Sequence, residues 1–395
     1  MRQDEDRTTG DRTAAGAADG AGARPAAPPG TAAGSTAETT AGITTGISSG
    51  ITAGITADDR EAGLRQSAAF LVDEALGFLF PAALRAAAEV GVADHLADAP
   101  RTPAELAAAT GTDDRNLYRV LRLLATRGVV TEDAQGRFAL APAGQALRSG
   151  VPYSVRAAVL MLTDRTMWRP AGELTHCLTD GTTAFENLFG VPFFDHFAKD
   201  ERTAAVFHVG MAAMSDPENA LIAAACDLPA TGTVVDIGGG HGGLLLEVLR
   251  ANPGLEGVLY DRAHVLAGHR LAAHGEIAGR WTPQEGDFFA SVPDGDVHLL
   301  KRITHDWNDE DCVTLLGHCR RALRPGGRVL VLDAVVPPGN APHQAKTLDL
   351  MMMASLTGRE RTEADFAELL GRAGLRLSRV LPTPTVLSVV EAVAA

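Results

Sequence analysis

The chain has 395 residues, enough for two domains of ordinary size. A formal net charge of −14 excludes broad nucleic-acid binding, which needs a basic face for phosphates. Cys177, Cys226, Cys312 and Cys319 form no CxxC, so neither a disulfide framework nor a zinc cluster is expected, and the compartment read from them is reducing and cytoplasmic.

Residues 1–62 are mostly Ala, Gly, Thr and Ser, with a four-residue Gly-Ile repeat running from Gly42 to Ile55. Such a segment buries too little apolar surface to offset its chain entropy, so a disordered tail is expected. The charges at Arg2, Asp4, Glu5, Asp6 and Arg7 lead into no apolar run, which argues against a signal peptide. No stretch reads as long enough to span a bilayer.

Residues 63–150 predict a mostly helical unit. Phe70, Leu71, Leu76, Leu79 and Phe80 give it more apolar surface than a small domain needs, so a homodimer is expected. Thr102, Pro103 and Glu105 form a capping box around a first-turn proline, and that helix stops at Gly111. A second helix carries Leu117, Val120, Leu121 and Leu124, and a small hairpin follows over 129–140. Helix, helix, wing raises a DNA-binding regulator as a minority reading, with Arg115, Arg119, Arg122 and Arg127 toward phosphates. A solvated face in a dimerisation module fits the acidic chain better.

Residues 151–228 predict a helical linker and pocket region rich in Met and Phe. Such side chains build cores and also line sites for flat rings. Trp168, Phe194, Phe207 and Met211 are the pocket candidates.

Residues 229–395 alternate strand and helix, which predicts an α/β parallel sheet of Rossmann-like type. It begins with Val234, Val235 and Ile237, then Gly238, Gly239, Gly240, His241, Gly242 and Gly243. The glycines admit a tight turn and a close ligand. Read literally they satisfy G-x-G-x-x-G, a dinucleotide signal that is weak alone. Asp236, two residues before the first glycine, would repel a pyrophosphate and suit a cationic cofactor such as S-adenosylmethionine. The D-x-G-x-G pattern resembles the first motif of class I methyltransferases. Asp261 ends the next strand and can accept from ribose hydroxyls; Asp287 can accept from an adenine amino group, with Phe288 stacking on the purine. His305 follows the fourth strand, where a histidine can take a proton near neutral pH. Strands around Pro382 and Pro384 predict a terminal antiparallel hairpin, which fits a methyltransferase better than a dehydrogenase. No metal-ligand cluster is visible.

Asp236-x-Gly238-x-Gly240, Asp261, Gly286-Asp287-Phe288, His305-Asp306-Trp307 and Gly358-Arg359-Glu360-Arg361-Thr362 together resemble the small-molecule O-methyltransferases of the caffeate and flavonoid type and their bacterial relatives in antibiotic pathways. The resemblance covers about residues 65–395. It implies a winged-helix-like dimerisation domain, His305 as catalytic base, and Asp333 and Glu360 as its supporting acids. It further implies that Lys301 and Trp307 line the cofactor site and that Asp349 lies near the substrate pocket. Asp333 is the shorter of the two acids used at its position. The expected activity is methylation of a phenolic hydroxyl of an aromatic natural product, without metal, nucleic acid or membrane. N-methylation, or altered chemistry such as hydroxylation or decarboxylation on the same fold, is the alternative.

Overall fold

The computed structural model describes residues 57–395; the Gly-Ile repeat and the rest of the expected tail lie outside the described residues. The described residues divide at Leu71 and Val72 into two units, the second, 72–395, holding nearly all of the fold. Helix α1, Ala57–Leu76, begins inside the 1–62 segment expected to be a tail, with Asp58 and Asp59 in its first turn, where the helix dipole favours acids. Helix α2, Leu79–Glu89, follows. By length and composition alone, Asp58–Glu89 suffices to cross a bilayer, which corrects the expectation of no such stretch. Apolar faces left uncovered within one chain read the same as a span by composition, and Val72, Leu76, Phe78 and Leu79 are all exposed.

Helix α3, Pro103–Thr110, starts on the expected capping box and stops at Gly111 in the left-handed region. Helix α4, Asp114–Ala125, is capped by Asp113 and buries Leu117, Leu121 and Leu124. Strands β1, Val130–Glu132, and β2, Phe138–Leu140, pair antiparallel as the wing. Leu106, Leu121 and Phe138 are fully buried at the centre of this core. The helix arginines are partly engaged: Arg122 lies over Tyr118 and Arg127 over Phe80, at 5.5 and 4.4 Å from the ring centroids.

Short helices lead to the long helix α5, Glu201–Ala225. The sheet then forms from β3 (Gly232–Ile237), β4 (Leu255–Asp261), β5 (Trp281–Glu285), β6 (Gly295–Lys301), β7 (Leu323–Ala334), β8 (Leu375–Pro382) and β9 (Leu387–Ala394) in the order β5-β4-β3-β6-β7-β9-β8. The first five are parallel. Strand β9 inserts antiparallel between β7 and β8. Val234, Leu330 and Leu332 face one buried layer, with helix α6, Gly243–Ala251. Val235, Val329 and Val331 face the other, with α7, Asp309–Ala322, and α9, Glu363–Arg372. Helix α8, Gln344–Ser355, lies between β7 and α9 in sequence. Burial on both faces explains why these strands read as continuous apolar runs. Cys312 and Cys319 are buried, free thiols of that second layer. Strand order reverses beside β3, so the carboxyl ends of β3, β4 and β6 open onto one cleft, where open α/β sheets bind ligands.

Candidate active site

A cavity of about 890 Å³ occupies that cleft. Gly238 and Gly240 have φ of +66° and +58°, which a side chain would strain. A Cβ on Gly238 would also stand 2.6 Å from the Ile303 side chain. Asp236 lines the cavity at the end of β3. Burial pushes its carboxyl up to about 7, against the pull of the Lys301 ammonium, and its Oδ2 is buried without a hydrogen-bond partner. Asp261 also lines the cavity, and its Oδ2 accepts from the Gly240 amide at 2.8 Å, tying the second strand end to the glycine turn. Lys301 donates to Asn219 Oδ1 at 2.6 Å and to Ser215 Oγ at 3.1 Å. Burial brings its ammonium down to about 8.

Phe288 and Trp307 are in the cavity wall. Asp287 is not: its half-exposed carboxylate accepts from the Phe289 amide at 2.9 Å and from Arg262 at 3.1 Å. These bonds brace the loop that presents Phe288 and Phe289. Phe194, Phe207 and Met211 line the cavity, with Phe194 stacked on Trp307 at 5.6 Å. Trp168 and Asp349 fall outside the lining. Trp168 sits on the helix Arg165–Gly172, which packs on helices Ala184–Phe189 and α8. Asp349 instead accepts the Glu360 amide at 3.0 Å. Sequence reasoning missed Ser215 and Asn219. With Phe207 and Met211 they recur every four residues on α5, so helical spacing held a signal for this wall.

The segment after β6 forms a short 3-10 turn, Thr304–Asp306. His305 is 7% exposed, with Nδ1 at 2.8 Å from Glu360 Oε1 and Nε2 at 3.4 Å from Asp306 Oδ1. Asp306 lines the cavity, as do Ile303 and Trp307; His305 itself is outside that lining. Asp333 does not bond the imidazole. Its Oδ2 accepts from Thr304 Oγ1 at 2.5 Å, and its Oδ1 is buried without a partner, as is Glu360 Oε2. Burial alone would lower the His305 imidazole; Asp306, Asp333 and Glu360 outweigh it and raise it to about 9. Burial raises Asp306 to about 7 against the pull of His305. Asp306 stood inside the His305-Asp306-Trp307 motif with no role of its own, and its place beside Nε2 emerges only from the fold. Among the described residues no His, Cys, Asp and Glu group is arranged to hold a metal.

A buried histidine between carboxylates, beside a glycine-turn cleft with acids at two strand ends, defines a class of small-molecule transferase. Residues 171–376 match the O-methyltransferase domain and residues 72–150 the O-methyltransferase dimerisation domain, and the chain belongs to this family as an S-adenosylmethionine-dependent O-methyltransferase. It is 39% identical to a phenazine O-methyltransferase of Lysobacter antibioticus, over 85% of this chain and 98% of that one. It is 37% identical to a mitomycin biosynthesis 6-O-methyltransferase of Streptomyces lavendulae, over 76% and 86%. Its fold is similar to that of a calicheamicin-biosynthesis methyltransferase solved with bound S-adenosylhomocysteine. There the TM-score is 0.78 and the identity 54%, covering 84% of this chain and 98% of the other.

Proposed function

We propose that the chain methylates a phenolic hydroxyl of an aromatic natural product, as a cytoplasmic homodimer, with His305 as general base. The observation that carries this reading is the His305 imidazole, held at Nδ1 by Glu360 and turned at Nε2 toward the cavity-lining Asp306. When bound, S-adenosylmethionine supplies an electrophilic sulfonium methyl. The residues present fit it: Asp236 offers a buried, unpartnered carboxylate oxygen to a cationic ligand, and the glycine turn leaves backbone room. Asp236, Gly238, Gly240, Asp261, Lys301 and Phe288 would hold it.

Phe194, Phe207 and Met211 give a flat acceptor ring an aromatic and thioether wall. A free phenol has a pKa of about 10. An imidazole raised to about 9 is nearly matched to that proton, and such base catalysis contributes on the order of 10²–10⁴ in rate. Glu360 fixes the ring's orientation and stabilises the imidazolium that forms. Holding the hydroxyl in line can contribute more, up to effective molarities of roughly 10⁵ M or above. The similarity to a phenazine O-methyltransferase and to a mitomycin-biosynthesis O-methyltransferase supports an acceptor from natural-product biosynthesis.

The test is methyl-labelled S-adenosylmethionine offered with a panel of polycyclic phenols and matched aryl amines. Label in aryl ethers is the expected result. Label found on the amines alone would favour N-methylation instead.

A further inference from the structure

The catalytic turn is short, and its placement comes from a guanidinium far along the chain. Arg361 is 1% exposed, among the largest fully buried side chains. Its Nη1 donates to Thr304 O at 2.6 Å and its Nη2 to Trp307 O at 3.1 Å. Nη2 and Nε also donate to Asp309 Oδ1, at 2.6 and 3.1 Å, at the start of α7. One rigid fork thus grips the residue before His305, the indole residue two positions after it, and the helix that follows.

The main chain of the same segment is registered too. Arg361 bridges Val335, and the Val336 amide donates to Arg361 O at 2.9 Å, just beyond Asp333 at the end of β7. Glu360, its neighbour, is the residue bonded to His305 Nδ1. Gly358 lets this segment lie against the turn: a Cβ there would stand 2.1 Å from His305 O and 2.5 Å from Trp307 N. At the turn's other end Arg302 takes φ +55°, a left-handed conformation unusual for arginine. Its side chain is held by Glu218 at 2.9 and 3.0 Å.

We propose that Arg361 is a positioning residue for methyl transfer, clamping both ends of the Thr304–Trp307 turn so that one side chain sets the His305 imidazole and the Trp307 indole together. The catalytic half rests on the reading of His305 as base; the Trp307 half does not. A misplacement of about 1 Å can cost on the order of 10² in rate. A lysine at 361 keeps the charge and the ion pair with Asp309, but one ammonium cannot reproduce the fork that spans both carbonyls.

The experiment measures kcat per S-adenosylhomocysteine-binding site, and the Kd for S-adenosylhomocysteine by calorimetry, in Arg361→Lys, Gly358→Ala and His305→Ala. Counting binding sites removes unfolded protein from the comparison, and Gly358→Ala moves the same turn without altering charge should the Arg361 variant not fold. Arg361→Lys and Gly358→Ala are expected to lower kcat per site about 100-fold and to weaken S-adenosylhomocysteine several-fold. Methylguanidinium added to Arg361→Ala should restore part of kcat. Both readouts staying within about twofold of wild type in both variants overturns the clamp. An active His305→Ala beside an Arg361→Lys that binds S-adenosylhomocysteine weakly would sink the base reading and leave the Trp307 half standing.

Discussion

At the scale of single residues, the two acids assigned to His305 act by different routes. Glu360 touches Nδ1, whereas Asp333 reaches the ring only through its field and through Thr304. Glu360→Gln should therefore cost about 10² or more in kcat, and Asp333→Asn clearly less. Both carboxylates raise the imidazole, so in wild type kcat/KM should climb with pH toward about 9 as the base form appears, and each variant should move that limb to lower pH. A pH–rate series checks this; a flat profile contradicts it. Asp236 gives a second pH effect. Burial lifts its carboxyl from 3.8 to about 7, so the unliganded chain loses stability from this group as pH rises from about 4 through about 7. A cationic ligand favours the ionised form. S-adenosylmethionine affinity should therefore rise over the same window, and Asp236→Asn should abolish the slope in calorimetric titrations.

At the scale of elements, the glycine turn and the strand ends are the parts that sequence made legible. Val234 to Gly243 spell strand, turn and helix through local chemistry alone: β-branched residues, glycines at positive φ, then leucines. Gly238→Ala should leave the sheet folded and abolish S-adenosylhomocysteine binding, because it combines left-handed strain with a 2.6 Å approach to Ile303. Circular dichroism with calorimetry would show it, and retained affinity would count against the cradle. The capping box at Thr102 and Glu105 was equally local and stands as read. What stayed hidden depends on segments far apart in sequence. The bonds of Asp287 to Arg262 and to the Phe289 amide could not be read from its place after a strand. Nor could the bond that Asp349 accepts from the Glu360 amide, eleven residues on. Trp168 cannot be told from a pocket aromatic by type, since only the packing of its helix decides. Arg361 is legible as part of a motif, but its task needs Thr304, more than fifty residues upstream.

At the scale of the whole molecule, residues 72–150 form an O-methyltransferase dimerisation domain, and the apolar positions Val72, Leu76, Phe78 and Leu79 remain exposed within one chain. Burying such residues is worth roughly 1.5–3 kcal/mol each. The wild type is expected to sediment as a dimer at micromolar concentration and a Leu76→Glu, Phe78→Glu double variant as a monomer; an unchanged dimer would place the interface elsewhere. The buried imidazole held by Glu360 is proposed to perform the proton transfer beside an aromatic-walled cavity. Its most direct test is kcat of His305→Ala at saturating S-adenosylmethionine, with a phenol that wild type methylates. A fall of about 10²–10⁴ is expected, with S-adenosylhomocysteine affinity nearly unchanged. Activity within a few-fold of wild type would contradict it.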